Sequence, residues 1–285
     1  MKNKVCAAII TYNIDEKIIE VINSIIEQVE FVLIIDNNSK NETVSILKRL
    51  EKDSRIELIL NSTNEGIAKA LNQGIEVAKL KSMEWILTLD HDSICDKNMI
   101  ENMLDINLNY EDKSKTAILA PKVFDINKQK FISSKHFNGN DCIEVKDCIQ
   151  SGAIFKIDIF DKLGKFNEDL FIYHVDFEFC ERVIKAGYKI IQCNNVTLYH
   201  EEGYKIERSF LGMKTYYNNY SSVAIYYITR NTIYMAKNYN VFYIKRIIKD
   251  FVYILLFDEE RFNRLKYWRK GILDAFSNKF GKLDE

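Results

Sequence analysis

Hydrophobic residues in the first half of the chain form short, nearly unbroken runs separated by longer periodic segments. The runs are rich in β-branched residues and occupy 5–12, 31–36, 56–60, 85–90 and 117–124. Runs of this length and continuity are typical of strands that are buried on both faces of a sheet. The segments with helical spacing are 15–29, 41–53, 65–81 and 97–109. The alternation predicts an α/β fold with a mostly parallel central sheet flanked by helices.

Polar residues follow several of the predicted strands. They are Thr11-Tyr12-Asn13, Asp36-Asn37-Asn38-Ser39, Asn61-Ser62 and Asp90-His91-Asp92. Each group could be an ordinary turn, since such residues are common in turns. Ligands of open parallel sheets, however, bind beyond the carboxyl ends of the strands. Four polar strand ends on one predicted edge therefore indicate a binding site.

The pattern changes twice further along the chain. From 126 to 205 the alternation loosens, but no linker rich in Pro, Gly or Ser appears, so we interpret this part as an extension of the same domain. After 205 the chain is aromatic and basic, with nine basic against four acidic residues between Lys237 and Lys270. This composition fits a helix lying on a membrane surface, or equally a terminal helix packed on the core with a solvated basic face.

Composition and charge exclude several classes of protein. The 285 residues carry 40 basic and 41 acidic side chains, which gives no reason to expect a nucleic-acid partner. The six cysteines have no CxxC pair, so we expect reduced thiols in a cytoplasmic protein and no zinc site. The short apolar stretch at the N-terminus predicts a first strand rather than a signal peptide. No stretch reaches the length of a membrane span.

Nucleotide binding by a glycine-rich loop is not indicated, because both GxGxxG and GxxxxGK[ST] are absent. Other residues could bind a nucleotide. Asp36 at a strand end can accept a hydrogen bond from a pyrimidine imide, and Tyr12 offers a ring for stacking. Asn64 and Gly66 lie where a helix begins, and helix N-termini favour phosphate. The simpler interpretation of Asn64 is a helix cap.

Several further positions suggest chemistry. Asp90 and Asp92 form an Asp-x-Asp pair that could hold a hard divalent cation against a diphosphate, although such pairs also arise by chance. Asp176 lies near the start of an amphipathic helix and could act as a general base, or it could cap the helix. On the same helix, Glu178 and Arg182 are spaced for an ion pair. His200 follows an apolar strand and could be structural or a metal ligand.

The ordered motifs resemble a known family. "IITYN", "IIDNNS", "NEGIAKALNQGI", "LTLDHDS", "QSGAIF", "FIYHVDFEFCERVIKAGY", "LYHEEG" and "YYITRN" together look like a family 2 glycosyltransferase, most similar to the bacterial rhamnosyltransferase-like branch. The similarity covers about residues 4–235. It implies a GT-A fold with a Rossmann-like sheet, a catalytic domain over 1–235 and a helical extension over 236–285. The catalytic domain would divide into a nucleotide-sugar half, 1–125, and an acceptor half, 126–235.

The resemblance also implies roles for individual residues. Asp176 would be the catalytic base. The donor nucleotide would be bound by Thr11, Tyr12, Asn13, Asp36, Asn38, Asn64, Gly66, Ala68, Asp90 and His91. The ligands of Mg²⁺ or Mn²⁺ would be Asp92, His200 and Asp90. The acceptor and phosphate groups would meet Ser151, Gly152, Glu178, Arg182 and Arg230.

The implied reaction is a single displacement with inversion, in which Asp176 removes the proton of the acceptor hydroxyl. The expected donor is dTDP-rhamnose and the expected acceptor a polyprenyl-linked oligosaccharide. The enzyme would then lie peripherally on the cytoplasmic face of the cell membrane. Val175, Tyr173 and His91 depart from common residues of the family, which leaves the donor sugar open.

Three alternatives remain. The first is a galactosyl- or glucosyltransferase using a UDP-sugar. The second is a sugar-nucleotide-binding scaffold without activity, although such a protein would need no base. The third is a nucleotidyltransferase, which usually carries a glycine-rich loop after the first strand, whereas "TYNIDEK" contains no glycine.

Overall fold

The computed structural model describes residues 4–132, 140–201, 203, 205–210 and 213–284. The strands are β1 (Val5–Thr11), β2 (Val32–Asp36), β3 (Ile56–Leu60), β4 (Trp85–Asp90), β5 (Ser93–Cys95), β6 (Thr116–Asp125), β7 (Lys130–Phe131), β8 (Cys142–Val145), β9 (Ile154–Lys156), β10 (Lys189–His200), β11 (Lys205–Phe210) and β12 (Met213–Asn218). The helices are α1 (Ile18–Ile25), α2 (Asn41–Leu50), α3 (Gly66–Leu80), α4 (Met99–Asn109), α5 (Ile157–Leu163), α6 (Val175–Lys185), α7 (Ser222–Asn238), α8 (Ile244–Phe257) and α9 (Arg261–Phe276).

The main sheet has the strand order β3-β2-β1-β4-β9-β6-β10-β5. Strands β1 to β4 pair in parallel, as do β6 and β10. The five predicted strands and four predicted helices of the first half are confirmed, and so is the α/β class. The short strand β9 lies antiparallel between β4 and β6. Its three residues are too few to give a sequence pattern of their own.

The core lies on both faces of this sheet, as the unbroken apolar runs predicted. In β1, the side chains of Cys6, Ala8 and Ile10 belong to one buried cluster. Those of the alternate residues belong to the other, which includes Val5 and Ile9. This alternation follows from the two-residue period of a strand. Both faces of β1 are therefore covered, and its polar end is held firmly at the sheet edge.

Helices α7, α8 and α9 follow the last strand along the chain and pack against one another. The predicted boundary at 235/236 falls inside α7, which continues to Asn238, so the division into a catalytic domain and an extension stays a prediction. Within the described residues, no helix combines the length and the apolar character needed to cross a membrane.

Candidate active site

The polar ends of β1, β2 and β4 meet at one edge of the sheet. Thr11 is paired with Asp36 across β1 and β2, and Ile10 is paired with Asp90 across β1 and β4. The arrangement follows from parallel pairing, which brings the carboxyl ends of neighbouring strands to the same side. The sequence prediction that these groups share one edge is confirmed for these three strands.

A buried carboxylate occupies the β2 end of this edge. Thr11 Oγ1 donates a hydrogen bond of 2.9 Å to Asp36 Oδ1, and the Ser39 amide donates one of 2.8 Å to Oδ2. Tyr12 beside it is 48% exposed, so its ring is accessible. Asn13 and Asn38 are exposed and have positive φ angles, which turn the chain away from the strands. The edge thus offers a fixed acceptor next to an open aromatic ring.

The start of α3 differs from the expectation of free amide groups. The carbonyl oxygen of Phe171 accepts hydrogen bonds from the amides of Ile67 and Ala68, at 2.7 and 3.4 Å. Ala68 is fully buried, and Asn64 Oδ1 accepts from the Gly66 amide at 3.0 Å. The protein therefore fills this helix N-terminus itself. The simpler interpretation of Asn64 as a local cap fits the structure, whereas a phosphate bound by the Ile67 and Ala68 amides does not.

Gly66 is required by the same contact. It has a φ of +82°, and a Cβ at this position would lie 2.6 Å from both the ring and the carbonyl oxygen of Phe171. Only glycine permits this backbone conformation together with so close an approach.

Asp90, Asp92 and His200 converge next to this edge. Asp90 ends β4, a tight turn follows, and β5 then pairs with β10 so that Ser93 lies opposite His200. One ligand atom from each of Asp90, Asp92 and His200 lies within 4.8 Å of the others. Asp92 Oδ1 is buried, lies 3.3 Å from His200 Nδ1 and accepts no well-formed hydrogen bond. Two carboxylates and an imidazole with an unsatisfied oxygen fit a divalent cation.

The two carboxylates have different electrostatic environments. Burial raises the pKa of Asp90, and the negative charge of Asp92 raises it further. Burial also acts to raise the pKa of Asp92, but its contact with His200 and the charges of His200 and His91 outweigh burial and lower it. His91 is partly exposed between the two carboxylates. A bound cation would remove the repulsion between them.

Asp176 lies in the first turn of α6, near enough to Asp90 for the charge of Asp90 to act on it. Burial raises its pKa to about 6, and the charge of Asp90 contributes to the rise. Hydrogen bonds from the Phe177 amide, at 2.9 Å, and from the Gln150 amide act in the opposite direction. A carboxylate with this pKa is ionised at neutral pH, yet it is basic enough to accept a proton.

Two residues of the site were missed by the sequence analysis. Gln150 Nε2 donates to Asp90 Oδ1 at 2.6 Å, and the backbone N–H of Gln150 donates to Asp176. Gln150 therefore contacts both carboxylates. Ser93 Oγ lies 2.9 Å from His200 Nδ1 and 2.7 Å from Ser151 Oγ. Both residues lie within quoted motifs, but a glutamine or a serine alone carries no recognisable spacing signal.

Ser151 and Gly152 lie beneath Asp90 in the structure. Both are buried, and Ser151 Oγ accepts from the Asp90 amide at 3.0 Å. A Cβ on Gly152 would lie 2.8 Å from the side chain of Leu198. The pair therefore supports Asp90, and its contact with the acceptor stays a prediction.

The side chains of Glu178, Arg182 and Arg230 have partners inside the protein. The predicted ion pair between Glu178 and Arg182 is confirmed, at 2.8 Å, but it is mostly buried, and Arg182 also donates to the carbonyl of Leu163. Arg230 is fully buried and donates to the carbonyls of Asp169, Leu170 and Gly281. Partners within the protein therefore satisfy the charge or the hydrogen-bond donors of each of these side chains.

The sequence matches the family model "Glycosyl transferase family 2" over residues 6–164, more than half of the chain. The chain belongs to glycosyl transferase family 2. This glycosyltransferase is 27% identical to the dTDP-rhamnosyl transferase RfbF of Shigella flexneri, with 96% of this chain and 94% of RfbF covered. It is 24% identical to the O-antigen chain rhamnosyltransferase RfbN of Salmonella typhimurium, with 73% and 69% covered.

Solved structures show that the enzyme has the GT-A fold. TarS 1–349 of S. aureus in complex with UDP-GlcNAc has a TM-score of 0.57 and 17% identity, and the alignment covers 96% of this chain and 73% of that one. GalNAc-T7 with UDP, GalNAc and Mn²⁺ has a TM-score of 0.57 and 14% identity, over 70% of this chain. The glycosyltransferase spans less than half of the GalNAc-T7 chain, at 43%. The expected family and fold are confirmed.

Proposed function

We propose that this glycosyltransferase transfers L-rhamnose from dTDP-rhamnose, with inversion, to a lipid-linked glycan acceptor in cell-surface polysaccharide synthesis. The observation that carries the proposal is the convergence of Asp90, Asp92 and His200 beside Asp176 at the sheet edge. The choice of donor is supported by the similarity to RfbF along almost the full length of both proteins.

The nucleoside of the donor would bind at the end of β2. Asp36 would accept from the thymine imide, and Thr11 holds that carboxylate in place. Tyr12 would stack on the base, since its ring is accessible. Asn13, Asn38 and Gly66 would lie around the ribose. The surface therefore suits a pyrimidine nucleotide, which both dTDP- and UDP-sugars contain.

Asp90, Asp92 and His200 would hold Mg²⁺ or Mn²⁺. A divalent cation at this position supplies charge that stabilises the departing diphosphate. Ser93 accepts from or donates to His200 Nδ1 and thereby fixes the orientation of the ring. Gln150 holds Asp90 through the hydrogen bond of 2.6 Å. These contacts fix the ligand side chains before the donor arrives.

Asp176 would remove the proton of the acceptor hydroxyl as that oxygen attacks the anomeric carbon. The charge of Asp90 acts on Asp176, and a base near the metal ligands in this way would lie on the acceptor side of the diphosphate. A pKa of about 6 matches a general base that works near neutral pH. One displacement inverts the anomeric configuration and requires no covalent enzyme intermediate.

The exposed face of α8 would dock on an anionic membrane surface, where a polyprenyl-linked acceptor resides. Ile244, Ile248, Val252 and Leu255 recur at helical spacing and are all exposed. Lys245 and Lys249 border this apolar stripe, an arrangement typical of interfacial helices. Tyr243, immediately before α8, packs edge to face on His174, two residues before the base. The docking helix thus begins next to the acceptor side of the site.

A UDP-sugar remains the main alternative donor, because two similar structures, GalNAc-T7 and TarS 1–349, contain UDP and UDP-GlcNAc respectively. The test is nucleotide release from dTDP-, UDP- and GDP-sugars with Mg²⁺, with Mn²⁺ and with EDTA, using the wild type and Asp176→Asn. We expect metal-dependent release from dTDP-rhamnose by the wild type alone. Release from a UDP-sugar instead would refute the rhamnosyl donor. Binding of sugar nucleotides without transfer to polyprenyl-linked acceptors would favour the scaffold.

A further inference from the structure

The turn that precedes α6 has an uncommon backbone conformation. Phe171, Tyr173 and His174 have φ angles of 62°, 64° and 61°, a left-handed region that residues with large side chains seldom adopt. Asp176 follows two residues after this turn. Such conformations persist only where the surrounding structure fixes them, and they occur preferentially at functional sites.

Two neighbouring residues of α7 form hydrogen bonds with this turn. Asn231 is fully buried, and its Nδ2 lies 2.9, 2.8 and 2.9 Å from three acceptors in the turn, the carbonyl oxygens of Leu170, Ile172 and Tyr173. Thr232, the next residue, has its Oγ1 3.0 Å from His174 Nε2. Both contacts reach across about 60 residues of sequence.

Arg230 completes this group. Its Nη2 donates to the carbonyls of Asp169 and Leu170, both at 3.1 Å. Its Nε donates to Asn231 Oδ1 at 3.0 Å, which leaves the amide NH₂ of Asn231 directed at the turn. The guanidinium lies over the rings of Tyr226, Tyr227 and Phe280, which keep it away from solvent. The arginine therefore orients the asparagine and binds the turn as well.

The other side of the turn contacts α3. The carbonyl oxygen of Phe171 accepts from the amides of Ile67 and Ala68, and the ring of Phe171 stacks on Tyr227 at 5.1 Å. The turn is thus held from α7 on one side and from α3 on the other. Its backbone has little freedom, and the first turn of α6 directly follows it.

We propose that Arg230 and Asn231 are positioning residues, which hold the turn over 169–174 so that Asp176 faces Asp90. The proposal rests on the proposed function, because it takes Asp176 as the base. Neither residue touches the substrate. Arg230 and Asn231 act through the turn, and their effect is on how often Asp176 is in the reactive position rather than on how tightly the donor binds.

The test combines Asn231→Ala and Arg230→Lys with kinetics and hydrogen exchange. We expect Asn231→Ala to lower kcat at least tenfold and to leave the donor KM within twofold. Exchange of the amides in 169–176 should rise, while that of β1 and β4 stays unchanged. Arg230→Lys keeps the charge and a single donor nitrogen, so its loss should be smaller than that of Arg230→Met, which keeps neither. The matched control is Asn238→Ala, an exposed asparagine of the same helix, which should match the wild type.

Two results would overturn the proposal: a folded Asn231→Ala with wild-type kcat and wild-type exchange, or a loss of kcat matched by an equal rise in donor KM. If Asn231→Ala does not fold, the same criteria apply to Arg230→Lys, which alters the other residue that binds the turn. A wild type that transfers no sugar refutes the proposed function separately, because the exchange comparison then still decides whether these residues hold the turn.

Discussion

Replacing Asp176 by asparagine should abolish most turnover and, at neutral pH, make the folded protein more stable. Burial, with a contribution from the charge of Asp90, raises the pKa of Asp176 from 3.8 to about 6. The folded state therefore holds the proton more tightly than the unfolded chain does. The free energy of unfolding therefore falls as the pH rises from about 4 to about 6, and the full loss is present above pH 6. A neutral amide of the same shape avoids this cost and can still accept from the Phe177 amide.

The size of the gain follows from the two pKa values. A difference between 3.8 and about 6 corresponds to about 3 kcal/mol. Asp176 retains partial solvent contact, and screening makes this figure an upper bound. Below about pH 4 both states are protonated, so the variant should gain nothing there. The gain should grow between pH 4 and 6 and stay constant above. Loss of the base should lower kcat by about 10²- to 10⁴-fold.

The assay is urea unfolding in EDTA between pH 4 and 8, together with turnover at pH 7. Asp105→Asn, which changes an exposed carboxylate on α4, is the matched control and should shift neither quantity. A variant that is less stable than the wild type at pH 7, or whose gain does not depend on pH, would refute the electrostatic reasoning. Near-normal turnover would refute the assignment of the base.

Three further predictions concern other parts of the molecule. His200→Ala should weaken Mn²⁺ binding, measured by calorimetry, at least tenfold; unchanged affinity would remove His200 from the metal site. Ile248→Glu should reduce flotation with anionic liposomes, while Leu108→Glu, at an exposed position on α4, should not; recovery of the wild type only in the soluble fraction contradicts membrane docking. Gly66→Ala should lower stability by about 1–3 kcal/mol in urea unfolding, and more than Gly187→Ala, which has similar φ but open space; equal losses would refute the Phe171 contact.

The sequence was sufficient for features that depend on local pattern. The apolar runs predicted β1 to β4, and parallel pairing then required Asp36 and Asp90 to share an edge with Thr11. The amphipathic spacing predicted α6 and the ion pair between Glu178 and Arg182.

Features that depend on distant contacts were not predictable in this way. The family resemblance implied that Arg230, in "YYITRN", would meet phosphate, and only the fold shows that this arginine is enclosed by aromatic rings and main-chain carbonyls. The start of α3 likewise suggested amide groups without a partner. Their acceptor is the carbonyl oxygen of Phe171, about a hundred residues away, so the local sequence shows no sign of it. Neither contact leaves a periodicity or a motif in the sequence.

The position of β10 has a consequence for how the chain folds. Strands β1 to β4 form from neighbouring segments, whereas His200 reaches Asp90 and Asp92 only after β10 has paired with β6 and β5. Contacts of such large sequence separation form slowly, because loop closure precedes any gain from pairing. The carboxylate pair can therefore be in place before its imidazole partner. During refolding, high-affinity Mn²⁺ binding should appear later than secondary structure and should mark completion of the sheet.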